Sequence, residues 1–234
     1  MAEYDEDSML SGARGGAAGA GSRLAAPGPN RLARRGAFLV LLLVALVAGA
    51  WSGGGRLIRE AVEVVSLRRV ETLGADLVAV AEGAQLDPCL LAGIVYAESR
   101  GKPAAISSAG ARGLMQLMQG SAEDAALRLG LPEPSPDELL DNPLLNLRLG
   151  TSHLGWLLKN RRDMSLEAVL VAYNAGLTKA RRWFEAAGGY DAWRRDELRE
   201  RRSGSLDYAI GVLRLRARFA RRGHLHPPHL IPPE

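Results

Sequence analysis

Leu90-Leu91-Ala92-Gly93-Ile94-Val95-Tyr96-Ala97-Glu98-Ser99 is the stretch on which the interpretation of this chain depends. A run without charges leads directly to one carboxylate, and such a run predicts a central helix that is buried on nearly every side. Burial disfavours the ionised form of a carboxylate, so we expect a raised pKa for Glu98. A carboxylic acid that stays protonated near neutral pH can protonate a leaving group, which makes Glu98 a candidate general acid.

Two further motifs carry groups that suit a polar ligand. Gly113-Leu114-Met115-Gln116 combines a glycine, which lets a bulky ligand approach the backbone, with an amide that donates and accepts hydrogen bonds. Ala172-Tyr173-Asn174-Ala175-Gly176 ends another apolar stretch and offers an aromatic ring and a second amide. Ser99 adds a hydroxyl beside the candidate acid. Hydroxyl, amide and aromatic groups in combination indicate recognition of a sugar.

The remaining pattern favours an all-α fold. Few β-branched residues alternate with polar ones, and apolar residues recur at helical spacing. Asp87 with Pro88, Ser121 with Asp124, and Ser165 resemble helix starts. The predicted helices cover about 56–73, 76–84, 88–98, 113–119, 121–130, 142–159, 165–174, 178–187, 192–201 and 206–222, with loops at 100–112 and 131–141.

The N-terminal region predicts export. Residues 1–35 are rich in Gly, Ala, Ser and Pro, and we expect this tail to be disordered. Residues 36–55 are uncharged and long enough to cross a bilayer core of about 30 Å. Arginines before this segment predict a cytoplasmic N-terminus and an exported remainder. The alternative is a cleaved signal peptide, because Ala48-Gly49-Ala50 fits a small-x-small cleavage site.

Charge and cysteine content narrow the function classes. The chain has 234 residues, a formal net charge of +4 and a single cysteine, Cys89, so it contains no internal disulfide. No nucleic-acid motif accompanies the basic charge. We interpret Cys89 as a small core residue. His224, His226 and His229 lie in a Pro-rich tail at 223–234, where a solvated tail is favoured over a metal site, and we expect no metal and no cofactor.

From about Gly74 to Arg222 the chain resembles the soluble lytic transglycosylase (SLT) family of peptidoglycan-cleaving enzymes, which have a lysozyme-like α-helical fold. The resemblance places the catalytic domain at 74–222, behind a juxtamembrane linker helix at 56–73. It is carried by blocks in order along the chain: 86–88 through Glu98-Ser99, 109–118, Asp141-Asn142-Pro143 through Asn146 and Gly150, 172–176, and Tyr208 followed by Val212-Leu213.

The resemblance implies cleavage of the β-1,4 bond between N-acetylmuramic acid and N-acetylglucosamine. Glu98 would be the sole acid/base: it would protonate the glycosidic oxygen and then deprotonate the muramyl 6-hydroxyl, giving a 1,6-anhydro product. The matching motifs also identify the residues expected to bind or orient the substrate, with core packing as the alternative for Met115. These residues are Ser99, Met115, Gln116, Tyr173, Asn174 and Tyr208.

Departures from the family pattern and rival functions remain open at this stage. Gly101 stands where the family often has an aromatic residue, and His153 stands where tyrosine is common. We interpret His153 as a structural residue with its hydrogen bonds satisfied. The rival functions are a lysozyme-type muramidase that uses water and a non-catalytic glycan-binding module of a cell-envelope complex. The expected partners are peptidoglycan strands, the inner membrane through residues 36–55, and other cell-envelope proteins.

Overall fold

The computed structural model describes residues 55–160, 163–200 and 204–225. The predicted tail at 1–35, nearly all of the apolar segment at 36–55, and His226 and His229 in the C-terminal tail lie outside these ranges. Within the ranges that are described, no helix has the length and hydropathy needed to cross a membrane.

The described residues form helices joined by short loops, and the all-α prediction is confirmed for this part of the chain. No strand occurs there, and the only β-type pairings are isolated bridges from Ile106 to Arg112 and from Arg112 to Leu117. The helices are α1 (55–71), α2 (Gly74–Ala84), α3 (Pro88–Ser99), α4 (Gln119–Leu129), α5 (Glu138–Asp141), α6 (Pro143–Asn160), α7 (Leu166–Ala175), α8 (Leu177–Ala186), α9 (Tyr190–Glu200) and α10 (Gly204–Arg222).

Helix starts were predicted well where a side chain caps the backbone. The Asp87 carboxylate accepts a hydrogen bond from Cys89 N, and the Ser165 hydroxyl accepts one from Ala168 N. Asn142 accepts a hydrogen bond from Leu145 N at 3.0 Å as α6 begins. A side-chain acceptor satisfies an amide that would otherwise lack a partner in the first turn, so such residues mark helix starts in sequence as well as in structure.

Three local predictions are wrong. The loop predicted at 131–141 contains the short helix α5 (Glu138–Asp141). Residues 113–119 do not form a helix, because Gly113 and Gln116 have φ angles of +80° and +47° and the segment folds back in tight turns. The helix predicted from Ser121 begins instead at Gln119, after Met118, without a side-chain cap. Its end is as predicted, since Gly130 adopts a left-handed conformation directly after α4.

Helix α3 lies at the centre of the core, packed against α10, which also contacts α7. Its residues Leu91, Ile94 and Val95 are fully buried. A Cβ atom at Gly93 would lie 2.9 Å from the carbonyl oxygen of Val212, so glycine lets the backbones of α3 and α10 approach closely. Burial raises the pKa of the Cys89 thiol, which agrees with its interpretation as a core residue.

Helix α1 is fixed to the domain by its C-terminal half. Leu67 and Val70 are buried there, and Glu63 forms an ion pair with Arg218 of α10. Towards its start the helix leaves apolar side chains in solvent, with Leu57 68% and Ile58 66% exposed. The second half of this linker helix therefore packs on the domain.

Candidate active site

Glu98 lies in the last turn of α3, partly buried, where apolar surroundings replace water. Burial raises the pKa of its carboxyl group to about 7, and the Tyr208 hydroxyl opposes this effect by favouring the ionised form. No carboxylate among the described residues contributes to this shift. At neutral pH the group is therefore divided between its acid and base forms, as acid/base catalysis requires.

Two tyrosines from different helices face Glu98. The Tyr173 hydroxyl, at the end of α7, donates a hydrogen bond of 3.1 Å to the Met115 carbonyl oxygen. Tyr208, on the second turn of α10, turns its buried hydroxyl towards the Glu98 carboxylate, outside the geometry of a well-formed hydrogen bond. Burial, together with the charge of Glu98, raises the pKa of both phenols, so both stay protonated. The packing of α3, α7 and α10 thus brings three predicted site residues together.

The segment at 105–117 packs beside α3 and is held there by side-chain hydrogen bonds. The Ser99 hydroxyl donates to the carbonyl oxygens of Leu114, at 2.9 Å, and Val95, at 3.1 Å, and so joins this segment to the helix. The Gln116 side-chain amide donates to the carbonyl oxygens of Ala105 and Gly113, both at 3.0 Å. Through these contacts Ser99 and Gln116 hold the backbone of the site in position. A direct substrate contact by either residue stays a prediction.

Asn146 is a residue whose role the sequence analysis did not identify. Its side chain is fully buried, accepts a hydrogen bond from Met115 N at 2.9 Å, and donates to the carbonyl oxygens of Arg112 and Leu139 at 3.0 Å. A Cβ atom at Gly113 would lie 2.1 Å from the Asn146 amide nitrogen, so this position requires glycine. The sequence did contain a sign of this role, because Asn146 is an amide between two leucines on an apolar helix. A buried amide at such a position must form its hydrogen bonds inside the protein.

The structure does not bring every predicted site residue to Glu98. The Met115 side chain is fully buried and packs on Gly150, which matches the core-packing alternative rather than a position along a groove. Met118, three residues later, is 48% exposed and is the methionine of this segment that solvent reaches. Asn174 is exposed, and its side-chain oxygen accepts a hydrogen bond of 2.7 Å from the Ser205 hydroxyl.

His153 is not the satisfied core residue that the sequence indicated. Its ring lies between Trp156, with centroids 6.4 Å apart, and Tyr173, with centroids 5.6 Å apart. Burial, and then the charge of Arg128, lowers its pKa to about 4, so the ring is neutral at physiological pH. Its Nδ1 atom is buried and has no hydrogen-bond partner in the described part of the chain.

The backbone conformation and close packing at position 101 explain why glycine occupies it. Gly101 has a φ angle of +72°, and a Cβ atom there would lie 3.1 Å from both the backbone nitrogen and a side-chain carbon of Val70 in α1. An aromatic side chain at this position would therefore be strained and crowded against α1. Glycine at this position therefore lets α1 pack closely against the end of α3.

Comparison with known proteins identifies the family of this chain. The transglycosylase SLT domain model matches residues 78–195 of the chain. The chain is 38% identical over 99 residues to membrane-bound lytic murein transglycosylase E of Buchnera aphidicola, a match covering 39% of this chain and 44% of that protein. It is 38% identical over 104 residues to soluble lytic murein transglycosylase of Escherichia coli K12, covering 42% and 15% of the two chains.

A solved structure extends the comparison to the fold. The crystal structure of an inactive mutant of lytic transglycosylase Slt from Pseudomonas aeruginosa is similar with a TM-score of 0.56 and 27% identity, over 66% of this chain and 25% of that chain. The chain therefore spans less than half the length of each of these three proteins.

Proposed function

The chain belongs to the transglycosylase SLT domain family, and on that premise we propose that it is a peptidoglycan lytic transglycosylase. The bond it cleaves is the β-1,4 linkage between N-acetylmuramic acid and N-acetylglucosamine. Glu98 is the single acid/base, and the observation that carries this assignment is its partly buried carboxyl group with a pKa of about 7, facing two protonated tyrosines.

The reaction needs one group that changes its protonation state between steps. Glu98 first gives its proton to the glycosidic oxygen, and the bond from that oxygen to the anomeric carbon breaks. The resulting carboxylate then takes the proton of the muramyl 6-hydroxyl, whose oxygen bonds to the anomeric carbon. The product is a 1,6-anhydromuramyl end, no water is consumed, and Glu98 is returned to its acid form.

The surroundings of Glu98 favour this route over a two-carboxylate glycosidase. Glycosidases that use two carboxylates place them about 5–9.5 Å apart across the scissile bond. Within the described residues no acidic side chain perturbs the pKa of Glu98, as a carboxylate at the shorter of these distances, about 5 Å, would. One of the similar solved structures is an inactive mutant in which glutamine replaces a glutamate, which supports a glutamate as the essential group in this family.

Product analysis on purified sacculi tests the proposal. Digestion with the full-length protein should release muropeptides that end in 1,6-anhydromuramic acid, which mass spectrometry separates from reducing ends by the mass of one water. Reducing ends would identify the rival muramidase instead. Glu98→Gln should release no fragments while it still cosediments with sacculi, and an active Glu98→Gln protein would refute the assigned role.

We propose that the catalytic domain covers 74–222 and that residues 36–55 hold it at the cytoplasmic membrane, with the N-terminus in the cytoplasm and the domain on the periplasmic side. The uncharged segment after a group of arginines supports this topology, and one relative is itself named as membrane-bound. N-terminal sequencing of the mature protein tests it, because a first residue of Trp51 would show cleavage instead of anchoring.

A further inference from the structure

A cavity of about 650 Å³ opens between α2, the end of α4 and the outer face of α6. It shares no lining residue with the site around Glu98. Its wall is mainly apolar and includes Val80, Leu129, Leu144 and the ring of Trp156. Leu129 and Leu144 remain 41% and 43% exposed. A concave apolar surface of this size is typical of a small-molecule site.

The polar part of this cavity is basic. Arg128, Arg148 and Lys159 line it, none of its described lining residues is acidic, and none of these three cations forms an ion pair with a described carboxylate. The Arg128 guanidinium group lies over the Trp156 ring, 5.4 Å from its centroid, which holds that charge at the wall. Positive charges that form no ion pair within the described residues, set around an apolar hollow, favour a ligand with an anionic group and an apolar body.

The side-chain hydroxyl of Thr151 is independent evidence for a ligand, because it lacks a hydrogen-bond partner within the described residues. This residue is only 2% exposed and lines the cavity, and its hydroxyl forms no hydrogen bond within the described residues. Buried hydroxyl groups are normally satisfied, because leaving one without a partner costs free energy. The hydroxyl is buried in the wall, and rotation about the Cα–Cβ bond of Thr151 would bring it to a ligand oxygen in the cavity.

We propose that this cavity binds an anionic amphiphile, meaning an alkyl or acyl chain that ends in a phosphate or carboxylate group. The chain packs on Val80, Leu129 and Leu144. The head group pairs with the arginine and lysine side chains and accepts a hydrogen bond from Thr151. This site is distinct from glycan cleavage and does not depend on the function proposed above.

Binding of octyl phosphate by the full-length protein in maltoside micelles tests the proposal, with calorimetry as the readout. Octyl phosphate should bind with one site per chain, whereas inorganic phosphate and octyl glucoside, which each lack one half of the chemistry, should bind at least tenfold more weakly. Equal binding of octyl glucoside would overturn the anionic requirement and with it the proposal.

Two variants remove the two halves of the site. Arg148→Glu reverses a charge of the cavity, and Arg195→Glu, at an exposed position of α9, is its matched control. Gly155→Leu adds a side chain in the cavity, where a Cβ atom would have no neighbour from outside its own helix backbone within 4 Å, and Gly120→Leu on α4 is its equivalent in open space. Both cavity variants should weaken octyl phosphate binding at least tenfold, and both controls should leave it unchanged. Unchanged binding in the cavity variants would overturn the proposal.

Binding measured in lipid discs distinguishes a bilayer lipid from a soluble amphiphile as the natural ligand. In discs of phosphatidylcholine the full-length protein should bind octyl phosphate as it does in micelles. If added phosphatidylglycerol abolishes that binding, a bilayer lipid occupies the site. If it does not, the site selects a soluble amphiphile. Loss of binding in phosphatidylcholine discs would contradict the anionic selectivity, since a neutral lipid would then occupy the cavity.

Discussion

Replacing Glu98 by glutamine should change the pH dependence of stability as well as activity. The pKa of this carboxyl group rises from the ordinary 4.5 to about 7 in the folded protein. Between these pH values the native state holds a proton that the unfolded chain has released, so stability falls as pH rises. The free energy of unfolding decreases by about 1.4 kcal/mol per pH unit, or roughly 3 kcal/mol over this interval.

The variant has no proton to lose and should not show this decrease. Relative to the wild type, Glu98→Gln should therefore gain roughly 3 kcal/mol of stability between pH 4.5 and pH 8.5, and most of that gain should appear below pH 7. The physical reason is the cost of holding an ionised carboxylate in an apolar site, which the wild type bears only at the higher pH.

Unfolding in guanidinium chloride at a series of pH values measures this difference, because the salt screens surface charges that would add their own pH dependence. Both full-length proteins are compared in the same detergent, with tryptophan fluorescence as the readout. Glu133→Gln, at an exposed glutamate, is the matched control and should follow the wild type. A stability difference between Glu98→Gln and wild type that stays constant across this range would refute the link between burial and the acid function.

Three substitutions test the frame around the acid. Tyr208→Phe removes the hydroxyl that favours ionised Glu98, so the basic limb of the pH profile of kcat/KM should move to higher pH. An unchanged pH profile would show that the Tyr208 hydroxyl does not influence the pKa of Glu98. Asn146→Ala removes three buried hydrogen bonds and should lower the free energy of unfolding by roughly 3 kcal/mol or more, measured by chemical denaturation. Gly113→Ala should destabilise by more than about 1 kcal/mol, because the φ angle is +80° and the added Cβ would meet Asn146. Gly120→Ala, in open space, should instead be neutral or stabilising in the same assay.

Sequence patterns predicted the helices well and the turn between α3 and α4 poorly. The helix ends that side chains or glycines define, at Asp87, Ser165 and Gly130, were predictable because the capping interaction is local. The segment at 113–119 has an apolar pattern that fits a helix. It turns instead, because Asn146, distant in sequence, holds its backbone groups and Gln116 adopts a left-handed conformation.

The sequence by itself determined the all-α class and the identity of the candidate acid, because both follow from local order: apolar residues at helical spacing, and one carboxylate at the end of the most apolar helix. Only the tertiary structure decided which side chains surround that carboxylate. Tyr173 and Tyr208 reach Glu98 through the packing of α7 and α10 on α3, while Met115 turns into the core and Asn174 bonds to Ser205. Direction and burial of a side chain depend on contacts between residues far apart in the chain, and spacing along the sequence does not contain that information.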